Sequence, residues 1–320
     1  MLKHGAIGVV VGAIIDLAIG GIGIGALIGA IAGVGIHFWT SRRAVALLLL
    51  LAVGAVDSAA AQSSPQAESD LPVFFEVRGE GPAVLLVHGG IMDRRMWDPQ
   101  WAGLGDDVRL IRFDVRGAGQ SPRSEAFHPA DDMLAILDEL GVDKAYIVGL
   151  SNGGAFSVDF ALMYPDRVTK LIVAEPGLTG FQFDASVMQQ QMDMIAAFRA
   201  RDIEEATRVA LSSPAFEHTR EHPAAWELVR RLVQENISSF AMFPLYRYHE
   251  PRAVDALGRL SIPVALIVSE YAGPSALAIA DLLERDVPDL VRFTIADAGH
   301  MMNLENPQAF NQILKEIVDE

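Results

Sequence analysis

Two kinds of hydrophobic pattern divide this chain of 320 residues. From residue 5 to 36 it is apolar and glycine-rich, with Asp16 its only charge, and Gly21, Gly25, Gly29 and Gly33 recur at every fourth position. Such a stripe of small residues lets helices pack closely in a membrane, and the run exceeds the ~20 apolar residues that span a bilayer. Beyond residue 70 the pattern breaks into short apolar runs separated by glycine, proline and charge. Ala83–Val87, Ala145–Val148, Leu171–Ala174, Ile262–Val268 and Val291–Ile295 read as buried strands. Ala155–Tyr164, stopped by Pro165, and Pro307–Val318 read as helices. The long stretch between Glu175 and Ile262 reads as four more, near 185–199, 203–212, 222–235 and 238–248.

One junction in this pattern carries chemistry. Gly149-Leu150-Ser151-Asn152-Gly153 lies between the 145–148 strand and the helix that starts near Ala155. A G-x-S-x-G sequence in that setting predicts a nucleophile elbow, a sharp strand-to-helix turn that projects a serine Oγ clear of the backbone. The glycines permit the turn, and the helix N-terminus aims backbone N–H groups at a developing oxyanion. The 83–87 strand ends in His88-Gly89-Gly90. In this architecture that loop supplies the second oxyanion donor, so Gly90 N–H pairs with Asn152 N–H. His88 reads as a structural histidine that shapes the loop. His300, in Ala298-Gly299-His300 between the last strand and the last helix, is the candidate general base.

From about Leu71 to Glu320 the chain resembles the α/β-hydrolase superfamily, in its single-domain branch with a helical cap. The resemblance rests on Leu85-Leu86-Val87-His88-Gly89-Gly90 with Trp97, and on Phe113 to Ser121. It rests further on Val148 to Gly154, Tyr164-Pro165-Asp166-Arg167-Val168, and Ala298-Gly299-His300 with Glu305-Asn306-Pro307. It implies a mostly parallel central sheet with helices on both faces, Ser151 as nucleophile, His300 as base, and Gly90 and Asn152 as oxyanion donors. Asp114 and Arg116 match a segment that is structural in the family and read as a turn-stabilising pair. Haloalkane dehalogenases and epoxide hydrolases place an aspartate at the elbow, and Ser151 argues against both.

The third triad member departs from the family's pattern. A carboxylate must hold the imidazole in the right tautomer, and the family usually takes it from the loop after the next-to-last strand. Here that loop is Ser269-Glu270-Tyr271-Ala272-Gly273-Pro274, with Ala272 at the acid position. Glu175, at the tip of the 171–174 strand, is the expected replacement, as in some members of the family. Glu270 and Asp281 are the reserves. Glu270 is expected to order its loop, and Asp281 to lie on a solvated helix face.

Met188, Met192, Met194, Ile195 and Phe198 form an apolar series in the first cap helix. Most of it reads as cap core, with some Met and Phe residues facing a small or medium, largely apolar substrate. Upstream of the domain, Arg42-Arg43, the apolar run 44–56 and the small residues near Ala61 have the shape of a secretory signal. The expected organisation is a glycine-zipper segment at 1–40, a candidate membrane anchor, then a signal-like segment at 41–61 and a linker at 62–70. The hydrolase domain follows at 71–320, with its cap at about 177–260. Two readings of the first segment stay open: a true anchor, or an upstream extension of a frame that starts near residue 40. Both place the catalytic domain outside the cytoplasm, periplasmic or secreted.

Composition narrows the partners. With no cysteine there is no disulfide and no thiol chemistry. A net charge of −16 disfavours nucleic acid. No phosphate loop is present, no cofactor is implied, and no His/Asp/Glu cluster reads with metal-ligand spacing, so no metal is expected. The expected partner is a small-molecule substrate, with the membrane as a second partner if the first segment is retained. The leading function is hydrolysis of a carboxylic ester or lactone through an acyl-enzyme. Carbon–carbon bond hydrolysis or cofactor-free perhydrolysis by the same triad is one alternative. A membrane-anchored binding protein with a vestigial hydrolase fold is the other.

Overall fold

Four of the strands are apolar on both faces, and such strands are stable only between two layers of helix. The computed structural model, which describes residues 69–319, has this arrangement. β1 (Phe75–Arg78), β2 (Ala83–Val87), β3 (Arg109–Phe113), β4 (Ala145–Leu150), β5 (Val168–Ala174), β6 (Val264–Ser269) and β7 (Leu290–Ile295) form one sheet. Its order is β1-β3-β2-β4-β5-β6-β7. Only β1 runs antiparallel, paired with β3 through Phe75↔Phe113 and Val77↔Ile111. The apolar segment 1–61, with its anchor and signal readings, lies outside the described residues. Among the described residues no helix is long and apolar enough to cross a membrane.

Alternate strand positions build two cores. Leu85, Ile147, Leu171 and Leu266 face one layer; Leu86, Val148, Ile172 and Ile267 face the other. α1 (Asp98–Gly103) follows a 3-10 turn that carries the buried Met96 and Trp97. α2 (Pro129–Glu139) and α3 (Asn152–Met163) join the first core through Met133, Ile136, Val158 and Phe160. Three α-helices lie between β5 and β6, and three more follow β6. α4 (Ala185–Ala200), α5 (Ile203–Leu211) and α6 (Pro223–Asn236) precede β6, and α7 (Pro274–Asp286) follows it. α8 (Met302–Glu305) and α9 (Pro307–Asp319) end the chain, with Phe310, Leu314 and Ile317 in the second core.

Two expectations for the inserted helices change. The 238–248 segment is a 3-10 stretch, Ile237–Leu245, with Pro244 inside it. Proline has no N–H to donate and blocks a regular α-helix there. The apolar series on α4 does not form one buried stripe. Met194 and Ala197 are buried, whereas Met188 and Met192 are 46% and 57% exposed. At 100° per residue, positions 188 and 192 lie on a different face from 194 and 197.

The order of strands positions the site. After the edge strand β1 the chain enters mid-sheet at β2 and then places β3 on one side and β4 on the other, so the crevice beyond the strand C-termini opens there. Register brings Val87 opposite Gly149, Leu150 opposite Ala174, and Ala174 opposite Ile267. The ends of β2, β4, β5 and β6 therefore stand side by side on one rim.

Candidate active site

At the end of β4 the chain enters α3 through Ser151, whose backbone has φ 55° and ψ −120°. Positive φ costs a non-glycine residue roughly 1–3 kcal/mol, and backbone hydrogen bonds on both sides hold it. Ser151 N–H donates to the Ala174 carbonyl at 3.1 Å, and the Ser151 carbonyl accepts from Gly177 N–H at 2.7 Å. Glycine is required at both flanks. A Cβ at 149 would strike the Gly153 carbonyl and Ser157 Oγ, and one at 153 would strike the Val87 and His88 carbonyls.

The same two bonds fasten the elbow to the tip of β5, so Glu175, between Ala174 and Gly177, stands beside it. Glu175 is 3% exposed and also has positive φ, 36°. Its Oε2 accepts a hydrogen bond from His300 Nδ1 at 2.8 Å. Its Oε1 accepts from Ser269 N–H at 3.0 Å and from the Ser269 hydroxyl. Burial works to push this carboxyl up. The hydrogen bond and charge of His300, with the two bonds from Ser269, outweigh it and hold the group below its ordinary value. With its Nδ1 proton directed at Glu175, neutral His300 keeps a lone pair on Nε2. The reserve acids stand elsewhere. Glu270 Oε2 accepts from Asp297 N–H at 2.8 Å, and Asp281 is exposed on α7. Ala272 packs against the sheet core.

The loop after β2 lies next to the elbow. A Cβ built on Gly89 would sit 3.6 Å from Ser151 Cβ, and one on Gly90 would sit 3.6 Å from Asn152 Cβ. His88 is buried; its Nε2 accepts from Val115 N–H at 2.9 Å and its Nδ1 donates to the Gly89 carbonyl at 2.8 Å. Both ring nitrogens are thus spent on backbone, joining the loop to the turn after β3. Gly89 N–H points at Met96 Sδ, 3.5 Å away.

Asp114 and Arg116 do not pair with each other. Asp114 binds the Arg94 guanidinium at 2.8 Å and accepts from the N–H groups of Arg94 and Gln120, each at 2.8 Å. Arg116 binds Asp132 instead, at 2.9 and 2.5 Å. Each takes a partner from another element, Arg94 for Asp114 and Asp132 for Arg116, in a charge-assisted pair with little exposure to solvent. Burial pushes both aspartates up despite their arginines.

Several positioning groups have no local signal in the sequence. Ser269 is the last residue of an apolar strand. Asn303 Nδ2 donates to the Met96 carbonyl at 2.9 Å and ties the segment after His300 to α1's approach. Asn236, at the end of α6, accepts from Gly119 N–H and donates to Asp93 Oδ2, each at 2.7 Å. Phe243, in the 3-10 stretch, lies 3.0 Å from a Cβ built on Gly90. The fold also gathers one group of metal-ligand type that the sequence pattern does not show. His218, His222 and Glu305 offer ligand atoms within 4.8 Å of one another. The spacing of His218 and His222 was visible, but Glu305 reaches them only through the tertiary fold.

Known proteins share this architecture. A 3-oxoadipate enol-lactonase of Acinetobacter baylyi is 26% identical over 247 residues, 74% of this chain and 88% of the relative. A carboxylesterase of Bacillus subtilis is 26% identical over 244 residues, 73% of this chain and 79% of the relative. The structure of a thermophilic esterase from Thermogutta terrifontis superposes with a TM-score of 0.67 at 27% identity, covering 77% of this chain and 93% of that one. The family model described as the alpha/beta hydrolase fold matches residues 82–307, and the chain belongs to that family.

Proposed function

We propose that this protein is a serine hydrolase of carboxylic esters or lactones, working through an acyl-enzyme. Ser151 Oγ attacks the carbonyl carbon as His300 Nε2 takes its proton. Glu175 fixes the imidazole tautomer and stabilises the imidazolium. The oxyanion is received by the N–H groups of Gly90 and Asn152. His300 then returns its proton to the departing alkoxide, leaving Ser151 acylated. Water, deprotonated by the same imidazole, attacks the acyl carbon; the proton passes to Ser151 and the acid leaves. No metal or cofactor enters these steps.

The observation that carries this reading is the Glu175–His300 hydrogen bond, made at the strand tip to which the positive-φ elbow is itself fastened. The names of the lactonase and esterase relatives point the same way. An aromatic wall beside Gly90 favours a small or medium, largely apolar substrate. Phe243 is 5.0 Å from Phe240 and 5.4 Å from Tyr246, centroid to centroid.

Ser151→Ala tests the proposal. It should abolish labelling by a fluorophosphonate probe and cut kcat on a chromogenic ester by on the order of 10⁴–10⁶, with an unchanged circular dichroism spectrum. More than a tenth of wild-type turnover in that variant would remove Ser151 from the nucleophile's role. A wild-type protein that takes the probe but turns over carbon–carbon substrates and not esters or lactones would keep the triad and change the substrate class.

A further inference from the structure

We infer that His218, His222 and Glu305 form a site for one zinc-class divalent cation, and that the ion ties the segment before α6 to the loop carrying His300. The site owes nothing to the serine chemistry proposed above. His218 opens a 3-10 turn, His218–Glu221, and His222 follows it at the foot of α6. Glu305 closes α8 and is 8% exposed.

Geometry and donor type agree. The two Nε2 atoms stand 3.1 Å apart. Two nitrogens bound at 2.0–2.1 Å to a tetrahedral zinc lie about 3.3 Å apart. The carboxylate completes a group whose ligand atoms all fall within 4.8 Å, so a small side-chain adjustment closes it around an ion. Two imidazoles and one carboxylate suit zinc, whereas calcium and magnesium prefer oxygen alone. The fourth position is left for water.

The surroundings hold the donors in place. Glu305 Oε1 accepts from the Thr219 hydroxyl at 2.5 Å, and Oε2 from Gly299 N–H. Each oxygen keeps a further lone pair. On the far side of His218, Nδ1 faces the Glu221 carboxylate at 3.7 Å, the kind of outer partner that directs a ring's other nitrogen toward a metal. The Tyr271 ring packs on His218, centroids 4.4 Å apart. A plain imidazole–imidazole hydrogen bond accounts for the 3.1 Å contact. The Glu305 carboxylate, held there by Thr219 and Gly299, adds a third donor of ligand type at the same point. Because Gly299 N–H rests on Glu305, an ion at the carboxylate also fixes the backbone next to His300.

The test uses the full chain, stripped with a chelator and titrated with zinc chloride by calorimetry, with bound metal counted after gel filtration. We expect one equivalent of zinc to be lost in the His218→Ala/His222→Ala double variant. The wild-type melting temperature should rise by roughly 5–10 °C at a hundredfold excess of zinc over Kd, and this rise should vanish in the double variant. Cobalt in place of zinc should give the visible bands of a four-coordinate ion. The milder His222→Asn serves if the double variant fails to fold, and Ser151→Ala should bind zinc as wild type does. An unchanged stoichiometry and melting shift in a folded His222→Asn or double variant overturns the assignment. So does absence of zinc binding, or its loss in Ser151→Ala.

Discussion

The tips of β5 and β6 are neighbours in the sheet, with Ala174 opposite Ile267, yet they do different work at the same site. β5 ends in a carboxylate, Glu175, bent into positive φ so that its side chain reaches His300. β6 ends in a hydroxyl, Ser269, and the loop after it has Ala272 where the family's acid is expected. The two tips remain coupled, because Ser269 gives both its N–H and its hydroxyl to Glu175. The strand whose loop could have supplied the charge instead supplies, from its last residue, two donors to the neighbouring carboxylate. If Glu175 is the triad acid, as proposed, the end of β6 helps carry the charge that its own loop does not supply.

The largest break in this comparison comes from Glu175→Gln. The variant keeps the size of the side chain but removes the charge that stabilises the His300 imidazolium. We expect kcat on a chromogenic ester to fall by up to about 10⁴, with the fold intact by circular dichroism. Adding Ala272→Asp to that variant should recover about tenfold or more, because the loop is already joined to the His300 loop. Tyr271 N–H donates to the Ala298 carbonyl at 3.1 Å. No recovery in the double variant would mean that the β6 loop can no longer serve.

Ser269→Ala sharpens the comparison from the other side. Losing the hydroxyl donor should cost about tenfold in kcat, the usual worth of one hydrogen bond to a charged group. It also has a pH signature. The Glu175 carboxyl lies below its ordinary value of 4.5 in the folded protein. The stability it contributes is therefore complete above that value and is lost as pH falls through the folded-state value. Without the Ser269 hydroxyl the folded-state value rises, so the contribution shrinks and is lost at higher pH. Melting temperatures recorded from about pH 6 to pH 3 will show this. The smallest effect is expected from Glu270→Gln, within about twofold in kcat, since Glu270 serves an exposed loop N–H where such pairs contribute little. A large loss there would return the acid to the β6 loop.

Patterns that depend on near neighbours were legible in the sequence; partnerships between distant segments were not. The apolar runs gave β2, β4, β5 and β6 to within a few residues, because strands buried on both faces need continuous apolar side chains, and β7 was found although only its last residue is buried. β1 has no such run, since the edge strand FEVR is only partly buried. The elbow was legible because glycine at 149 and 153 is a steric necessity that leaves a mark in the sequence. The reach of Glu175 to His300 could be anticipated from its place at a strand tip. Ser269 could not, because a serine ending a strand looks like any other. Arg116 found Asp132 rather than Asp114, and His218 and His222 met Glu305, for the same reason: long side chains choose partners by the fold, after the backbone is in place.

The contact between Phe243 and Gly90 has a consequence for anyone redesigning this protein. A methyl group added at position 90 would stand 3.0 Å from the Phe243 ring, and that ring leans on Phe240 and Tyr246. The push would pass along the row of rings into the inserted helices. The groups that would receive the oxyanion and the wall that would select the acyl chain are thus not separate knobs. A library that varies position 90 alone searches a landscape already fenced by residue 243, and the two must be varied together for either to change freely.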